Sequence, residues 1–511
     1  MAAQETLVIV DFGSQYTQFF ARLAREMGVY SVILPFDAPA EQIRTHQPLG
    51  VVLSGGPNSV YADSAPQLNP AILELNVPIL GVCYGLQLLA RHFGGKVEAS
   101  SIREYGRANI KLIGASKLLP KKCDGSTVWM SHGDHVAEVP PGFKVIATSG
   151  TLIAAAENVQ QKLYGLQFHL EVVQSEYGRQ ILGKFFDLCG LKRDWQPASL
   201  IDTEIAAIRQ LVGRGSVICA LSGGVDSSVA AMLVDRAIGR QQTCIFVDTG
   251  LLRKNEFEDV LDMYKHLGLN IKPIRASQRF YTKLKGVTDP EKKRKIIGAE
   301  FIAIFEEEAR QVKNAKFLVQ GTLYPDAITS GMATGPSAKI KSHHNVGGLP
   351  DKMNLKLIEP LKELFKDEVR VLGKALGLPE RIYTRQAFPG PGLGVRVVGE
   401  ITEERVRILQ AADAIVREEI EKLPAVRKEL YQYFAVLLPV RSVGVMGDGR
   451  TYEQACVVKA FNSRDVMTAD WARLPYDLLA RISNRIVSEV RGINRVAYEI
   501  TTKPPATIEW E

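Results

Sequence analysis

The sequence lacks any stretch that would place it in a membrane. Across 511 residues, no apolar run approaches the roughly 18 residues that cross a bilayer. The first ten residues have neither the basic start nor the long apolar core of a secretory signal, and their pattern is that of a first β-strand. We find no internal repeat and no low-complexity tract. We therefore expect a cytoplasmic protein without a membrane partner.

Cysteine is scarce, and its spacing argues against a metal centre. The six cysteines include no C-x-x-C pair, so neither a zinc site nor an iron–sulfur cluster is predicted. Hydrophobic residues make up 46% and charged residues 23%, which excludes a largely disordered chain. The net charge of +7 is mild for this length. It is compatible with anionic small molecules or with nucleic acid as partners and does not decide between them.

The length and the order of apolar segments predict an α/β protein of about three domains. Residues 1–196 alternate short apolar strands with helical segments, which indicates a largely parallel sheet. The same pattern restarts at residue 197 and continues to 390, interrupted by a loop rich in glycine, serine, lysine and histidine. Residues 391–511 contain a long helix, at about 403–421, and several strands, so we expect a smaller α+β domain there.

A candidate nucleophile, Cys83, lies between an apolar strand and a helix predicted to begin near Leu86. The glycines on either side, Gly81 and Gly85, permit the sharp turn of a nucleophile elbow. A helix N-terminus beside the sulfur favours the thiolate. A single cysteine is nevertheless more often a core residue, so Cys83 alone does not decide the function.

Two further residues complete a possible catalytic set. His169 and Glu171 lie two apart in an apparently extended run, and such residues face the same side of a strand. Glu171 is thereby placed to hold the imidazole, and His169 to deprotonate Cys83. A Gly-Gly-Pro turn at Gly55 and Gly56 offers backbone N–H groups for an oxyanion, although such a turn is often no more than a turn.

With these motifs, residues 1 to about 195 resemble the class I glutamine amidotransferases. The resemblance implies hydrolysis of the glutamine amide through a Cys83 thioester, releasing ammonia and glutamate. It also implies that the amides of Gly56 and Tyr84 stabilise the oxyanion. That family usually carries proline where this chain has Leu170. This position should face away from the catalytic residues, so we expect no loss of activity.

A second motif, S-G-G-V-D-S-S, follows an apolar strand and opens a helix. Successive N–H groups at a helix N-terminus form a cradle for an anion, and a carboxylate there can hold a Mg²⁺ ion that bridges phosphates. The motif lacks the lysine of the G-x-x-x-x-G-K-[S/T] loop. Its members are Ser222, Gly223, Gly224, Val225, Asp226, Ser227 and Ser228.

This loop resembles the pyrophosphate loop of the N-type ATP pyrophosphatases, which adenylate a substrate oxygen and release pyrophosphate. The resemblance implies ATP bound at Ser222–Ser228 with Mg²⁺ held by Asp226. It also implies a backbone contact from Val247 to the adenine, at the end of the next strand.

Over essentially its whole length the sequence resembles the glutamine-hydrolysing GMP synthases. The matching segments are residues 320–326, 341–350, 388–393, 447–450 and 494–511. The resemblance implies that ATP adenylates the C2 oxygen of xanthosine monophosphate (XMP) and that ammonia from the first domain displaces AMP to give GMP. It further implies a homodimer formed through the C-terminal domain, and no nucleic acid partner.

The same resemblance assigns the XMP contacts. Lys503 would pair with the monophosphate and Glu509 would accept hydrogen bonds from the ribose hydroxyls. Ile508 and Trp510 alternate with acidic residues as in an ordered strand. The assigned residues are Arg294, Gln432, Asp448, Lys503, Ile508 and Glu509.

Two charged segments have competing interpretations. The run 291–295 is usually a solvated helix face, although Arg294 would contact the nucleotide phosphate by resemblance. Basic residues in the loop rich in glycine, serine, lysine and histidine either clamp phosphates or are only part of a surface segment. Those residues are Lys339, Lys341, His343 and His344.

Other functions are weighed against this one. An NAD or asparagine synthetase shares the loop, but the cysteine triad and the residues 503–511 argue against both. A tRNA-modifying or RNA-binding protein would need catalytic cysteines in the loop domain or basic–aromatic patches, and we find neither. A non-catalytic scaffold on the same folds remains an alternative that a glutaminase assay with and without XMP and ATP distinguishes.

Overall fold

The computed structural model describes residues 5–331, 355–447, 449–463 and 468–511. The chain divides into two compact units. The first is Met1–Gln196 with Ile328–Thr334, and the second is Pro197–Ala327 with Gly335–Glu511. The predicted division into three domains, with a boundary after residue 390, stays a prediction.

A mixed sheet forms the centre of the first unit. Within the described residues its strand order is β2-β1-β3-β4-β10-β9-β8-β6, and β5 and β7 form a separate antiparallel ribbon. The first five strands in this order are parallel, and the pairs from β10 onward are antiparallel. The strands are β1 Thr6–Asp11, β2 Tyr30–Pro35, β3 Pro48–Leu53, β4 Ile79–Val82, β5 Lys96–Asn109, β6 Lys111–Leu112, β7 Thr127–Glu138, β8 Lys144–Ser149, β9 Leu152–Asn158 and β10 Leu163–Leu166.

The helices of the first unit include one that is buried along most of its length. Helix α3 follows β4 directly, and its residues from Tyr84 to Ala90 are all buried. Central strands such as β3 and β4 are buried on both faces, which explains why their sequences are continuous apolar runs. The helices are α1 Thr17–Glu26, α2 Ala40–Thr45, α3 Tyr84–His92 and α4 Gly178–Cys189.

The second unit begins with a parallel sheet of order β13-β12-β11-β14-β15. Since β11 has β12 on one side and β14 on the other, the order reverses between β11 and β14. Ligands of open α/β sheets bind at such a reversal, outside the carboxyl ends of the strands. The strands are β11 Ser216–Leu221, β12 Gln242–Asp248, β13 Ile271–Arg275, β14 Ala315–Val319 and β15 Lys356–Ile358.

A second sheet follows in the same unit. Strands β16 and β17 form a long antiparallel hairpin, and β19 pairs in parallel with β17. One continuous core extends from Ile218 of the first sheet to Ile493 of the second. The strands are β16 Gln432–Met446, β17 Gly449–Asn462, β18 Asp470–Trp471 and β19 Ile493–Tyr498. The helices are α5 Leu200–Val212, α6 Val225–Ile238, α7 Glu256–Lys265, α8 Ser277–Leu284, α9 Pro290–Ala309, α10 Tyr324–Gly331, α11 Lys366–Ala375, α12 Glu380–Tyr383, α13 Glu403–Glu421, α14 Pro424–Glu429 and α15 Tyr476–Glu489.

The predicted α/β fold is confirmed by these sheets. None of the helices in the described part of the chain combines the length and the apolarity needed to span a bilayer.

Candidate functional site

Cys83 occupies a strained turn between β4 and α3. Its φ of 52° and ψ of −105° are unusual for a residue with a side chain. The Cys83 amide donates to the Leu166 carbonyl at 2.7 Å, which ties the turn to β10. Helix α3 begins at Tyr84, two residues before the predicted start, so the sulfur lies directly at a helix N-terminus.

The glycines around Cys83 are required by close backbone approach. A Cβ atom on Gly85 would lie 2.2 Å from the Leu53 carbonyl oxygen, and one on Gly81 would lie 2.6 Å from the Gly85 carbonyl carbon. Since real Cβ contacts are not that short, any side chain here would force the strand and the helix apart. The turn that presents Cys83 therefore depends on both glycines.

His169 and Glu171 form a buried pair, with Nδ1 of the imidazole 2.7 Å from Oε1 of the carboxylate. The expectation of a continuous strand there is wrong, because β10 ends at Leu166. His169 is held instead by a single bridge, in which its amide donates to the Trp129 carbonyl at 2.9 Å. The hydroxyl of Ser175 donates to the His169 carbonyl at 2.5 Å.

The Cys83 sulfur also lies close enough to the imidazole of His169 to affect its charge. Burial lowers the pKa of His169, but the Glu171 carboxylate and the Cys83 sulfur outweigh this effect and hold the pKa well above its usual value of 6.5. A protonated imidazole beside the sulfur stabilises the thiolate, which is the reactive form of cysteine. The structure thus brings together all three residues of the predicted triad.

Other side chains around the sulfur carry no signal that we used in the sequence. Nε2 of Gln167 lies 3.7 Å from the Cys83 sulfur, and the Tyr16 ring meets the His169 ring edge-on with centroids 4.7 Å apart. Gln167 lies two residues before His169, and this spacing could have indicated from the sequence that it lies near Cys83. Tyr16 lies far away in sequence and offers none. Leu170 is buried.

The two candidate oxyanion donors, Gly56 and Tyr84, are neighbours. A Cβ on Gly56 would lie 3.3 Å from Cγ of Tyr84 and 2.8 Å from the Phe12 carbonyl oxygen. The Tyr84 amide is the first of helix α3, where N–H groups have no intrahelical partner. Glycine is needed at residue 56 because no side chain fits beside Phe12.

The phosphate loop connects β11 to α6 at the point where the strand order of the parallel sheet reverses. Gly223 has a φ of +73°, which favours glycine. The hydroxyl oxygens of Ser222 and Ser227 lie 2.9 Å apart at the accessible side of the loop. Ser228 is fully buried, and its hydroxyl donates to the Gly224 carbonyl and contacts the Tyr264 hydroxyl. Ser228 therefore supports the loop from beneath.

Arg385 is a half-buried neighbour of the loop that the sequence did not reveal. Its Nη1 donates to the Gly223 carbonyl at 2.6 Å, and its guanidinium pairs with Glu256. Burial, together with the nearby cations Arg253 and Arg417, lowers the pKa of Arg385 to about 10. Arg385 thus fixes the Gly223 peptide, with its carbonyl turned toward the protein.

Asp226 is the second residue of α6 and pairs with Lys366, the first residue of α11. Its other oxygen, Oδ1, is buried and has no hydrogen-bond partner within the described residues. Mg²⁺ is usually bound by one or two carboxylates together with substrate phosphates. No cluster of three or more potential ligands occurs in the described ranges. The Oδ1 of Asp226, unpartnered in the described part of the chain, is an oxygen of the kind that such an ion binds.

Val247 lies at the same sheet edge. Strand β11 ends at Leu221, opposite Phe246, so Val247 is one residue beyond the last pair of β11 with β12. On its other side it pairs with Ile274, and its side chain is buried. Its buried side chain leaves the backbone of Val247 as the part that a ligand at this sheet edge could contact.

The C-terminal residues do not form the expected strand. Lys503 makes a single bridge with Ala469, and no strand follows it up to residue 511, a stretch that is described throughout. The predicted alternation also fails at the last two residues, since Trp510 is 41% exposed and Glu511 is 9% exposed, although Ile508 packs against the core. The reason is electrostatic: buried cations draw the acidic side chains inward.

The other candidate XMP residues lie around this segment. Nε2 of the buried Gln432 donates to the Ala387 carbonyl at 2.8 Å. Gln432 also pairs across the sheet with Phe461. Phe461, Lys503 and Ile508 line one small cavity. Arg294 is partly exposed on α9. The run 291–295 is not wholly solvated, since its Lys293 is fully buried. Candidates outside the described residues are Lys339, Lys341, His343, His344 and Asp448.

Comparison with protein families divides the chain into three matches. Residues 8–189 match the family described as "Glutamine amidotransferase class-I", residues 202–301 match "NAD synthase", and residues 418–510 match "GMP synthase C terminal domain". The NAD synthase match covers the phosphate loop, which the two kinds of synthetase share.

Full-length relatives resolve the choice between synthetases. Proteins named "GMP synthase [glutamine-hydrolyzing]" from Geobacillus kaustophilus and Chlorobium phaeovibrioides are each 56% identical to this chain, and the one from Clostridium kluyveri is 53% identical. Each alignment covers 99% of this chain and 100% of the relative. The resemblance inferred from the motifs is confirmed, and the chain belongs to the family of glutamine-hydrolysing GMP synthases.

Proposed function

We propose that this chain is a ligase that aminates XMP to GMP, with ATP as the activating substrate and glutamine as the nitrogen source. The observation that carries the proposal is the presence, in one chain, of the buried Cys83–His169–Glu171 set and the Ser222–Ser228 loop at a sheet switch point. The first set suits amide hydrolysis, and the second suits attack on a nucleoside triphosphate.

The glutaminase half-reaction uses Cys83 as the nucleophile. The thiolate attacks the glutamine amide carbon, and the amides of Gly56 and Tyr84 stabilise the resulting oxyanion. His169 gives its proton to the departing ammonia and then takes one from the water that hydrolyses the thioester. Glu171 orients the imidazole and stabilises its charged form.

The synthetase half-reaction takes place at the loop between β11 and α6. The loop amides and the hydroxyls of Ser222 and Ser227 hold the phosphates of ATP. Asp226 would hold Mg²⁺, which neutralises phosphate charge when bound. The C2 oxygen of XMP attacks the α-phosphorus and releases pyrophosphate. Ammonia then attacks C2, and AMP leaves with the oxygen. Val247 contacts the adenine through its backbone.

We place XMP against the C-terminal segment. Lys503 pairs with the monophosphate, and Glu509 accepts hydrogen bonds from the ribose hydroxyls. Lys503 and Ile508 line one small cavity beside Phe461, so these two residues of the assignment lie close together. The residues proposed to contact XMP are Arg294, Gln432, Asp448, Lys503, Ile508 and Glu509.

We also propose that the chain is a homodimer formed through the β16–β17 hairpin. Large apolar side chains on this hairpin are exposed, including Val443, Val445 and Tyr452. A patch of this kind on an otherwise polar surface marks a protein interface. Sedimentation velocity of the wild type and of the Val445→Asp variant tests the proposal. A wild-type monomer, or a Val445→Asp variant that remains fully dimeric, contradicts it.

The cytoplasm is the proposed compartment. All six cysteines are unpaired in the structure, which suits a reducing environment.

A product analysis tests the proposed reaction. The purified protein is incubated with XMP, ATP, Mg²⁺ and glutamine, and GMP, AMP, pyrophosphate and glutamate are quantified. We expect equal amounts of the first three and no nucleotide product when XMP is omitted. Aspartate and deamido-NAD serve as alternative acceptors. Amination of either one in preference to XMP would refute the proposal.

A further inference from the structure

The last five residues of the chain are held by three buried cations. The contacts join Lys459 to the Thr507 carbonyl, Arg396 to the Glu509 carboxylate, and Lys293 to the Glu511 carboxylate. Each cation comes from a different part of the second unit, so the segment is fixed at every second residue. We call residues 507–511 the terminal segment.

Arg396 holds Glu509 through both arms of its fork. Its Nε and Nη2 donate to the two carboxylate oxygens at 2.9 and 2.8 Å, and its guanidinium lies 3.7 Å above the centre of the Phe434 ring. Arg396 is 0% exposed, so water does not compete for the hydrogen bonds of its guanidinium. A bidentate, stacked arginine fixes a carboxylate in one orientation. Each oxygen still has a lone pair for another donor.

Lys293 anchors the final residue in a similar way. Its ammonium is fully buried and donates to Glu511 and, at 2.8 Å, to the Val397 carbonyl. The other oxygen of Glu511 accepts from the Gly399 amide at 2.8 Å. Removal of either partner would leave a buried charge unpaired, which is strongly unfavourable. Glu509 is therefore fixed directly by Arg396 and from its C-terminal side by this pair.

We propose that Arg396 is a positioning residue for nucleotide binding, which acts by holding the Glu509 carboxylate ready for the ribose hydroxyls of XMP, and that the Lys293–Glu511 pair supports it. The inference rests on the proposed role of Glu509. An unpaired carboxylate near an anionic nucleotide would repel the phosphate and sample several rotamers. Paired with Arg396, the same group carries little net charge and keeps one orientation.

A double-mutant cycle tests the proposal. Arg396→Gln and Glu509→Gln are each expected to raise the KM for XMP by roughly tenfold to a hundredfold, with the KM for ATP within about threefold of wild type. Because Arg396 acts through Glu509, the double variant should bind XMP no worse than Glu509→Gln alone. Arg407→Gln is the matched control, since it removes an exposed arginine from an ion pair with Glu403 and should change neither KM.

The outcomes separate this inference from the proposed function. If Glu509→Gln leaves the KM for XMP unchanged, the XMP assignment itself is wrong. If Glu509→Gln weakens XMP but Arg396→Gln does not, or if the two effects add fully, only the positioning role is wrong. Equal weakening of XMP and ATP by Arg396→Gln points to general packing and also overturns it.

Two milder variants keep the test decisive if Arg396→Gln does not fold. Arg396→Lys retains the charge but loses the fork, and Glu511→Gln leaves Arg396 intact while weakening the terminal anchor. Both should raise the KM for XMP severalfold with little effect on ATP. Unchanged XMP affinity in both variants contradicts the proposal.

Discussion

The imidazole of His169 and the carboxylate of Glu171 meet at 2.7 Å in a site where each side chain is about 3% exposed. The second oxygen of Glu171, Oε2, is buried and accepts no hydrogen bond within the described chain. The carboxylate charge therefore acts mainly on the imidazole. This is the cause of the raised pKa of His169, and it can be removed by one isosteric change.

Glu171→Gln should slow glutaminase turnover by roughly 10²–10⁴-fold, because the amide no longer stabilises the imidazolium. The pKa of His169 should fall, since the carboxylate that raises it is gone. NMR titration of histidine labelled with ¹³C at Cε1 measures the shift, and glutamate release measures the rate. An unchanged pKa would show that Glu171 does not govern the imidazole.

Cys83→Ala should abolish GMP synthesis from glutamine and leave synthesis from ammonium salts. The reason is that, in the proposed reaction, Cys83 serves only to release ammonia, while adenylation takes place at other residues. GMP formation is followed with each nitrogen source at a pH where some free ammonia is present. A variant that is inactive with both sources contradicts this division of labour.

Asp226→Asn should reduce pyrophosphate release by more than tenfold, equivalent to about 1.4 kcal/mol of barrier, without impairing the glutaminase. The amide binds Mg²⁺ less well and no longer balances the Lys366 charge. Release is measured at saturating Mg²⁺. Asp262→Asn, on an exposed ion pair with Lys265, is the control and should remain fully active. A rate within tenfold of wild type removes Asp226 from the metal site.

Lys503→Ala should weaken XMP by roughly tenfold to a hundredfold and leave ATP almost unaffected. In the proposed reaction the loop at Ser222–Ser228 holds most of ATP, whereas Lys503 pairs with the phosphate of XMP. Separate titrations with each nucleotide measure the two affinities, and Lys265→Ala is an exposed control. If both nucleotides weaken equally, the change has disturbed the fold of the C-terminal segment.

Glu419 should make the protein less stable in acid. Lys422, through its side-chain hydrogen bond, and then Arg485 and Arg481 hold the pKa of Glu419 at about 2, below the usual 4.5. This stabilisation is complete above about pH 4.5 and is lost as the pH falls toward 2, because the unfolded state then binds the extra proton. Scanning calorimetry from pH 6 downward measures the fall in Tm. Glu419→Gln should flatten it, and the exposed control Glu404→Gln should not. A curve with the same steepness in both variants contradicts the assignment.

Local sequence patterns predicted most of the fold and the site formed by Cys83, His169 and Glu171. The long helix was expected at about 403–421 and occupies Glu403–Glu421, because its amphipathic period and Thr402 cap are local signals. The elbow at Cys83 was predicted for a similar reason, since Gly81 and Gly85 are its immediate neighbours. His169 and Glu171 meet as expected, although a bridge to Trp129 rather than a strand brings them there.

Contacts between residues far apart in the chain could not be predicted from the sequence. Lys366 reaches Asp226 across 140 residues, and Arg385 reaches Gly223 across 162. No periodicity or motif connects such positions. The terminal segment shows the same limit, because its alternation of apolar and acidic residues is that of a strand. Only the buried Arg396 and Lys293 turn the acidic side chains inward.

The order of strands in the parallel sheet has a consequence for protein synthesis. The phosphate loop emerges early, at Ser222–Ser228, but its neighbour β14 and the side chains of Lys366 and Arg385 are translated much later. At roughly 5–20 residues per second, the ribosome takes about ten to thirty seconds to pass from the loop to Arg385. A nascent chain thus carries the residues of the Cys83 site well before it has those of the nucleotide cradle, which are complete only once Arg385 has been added.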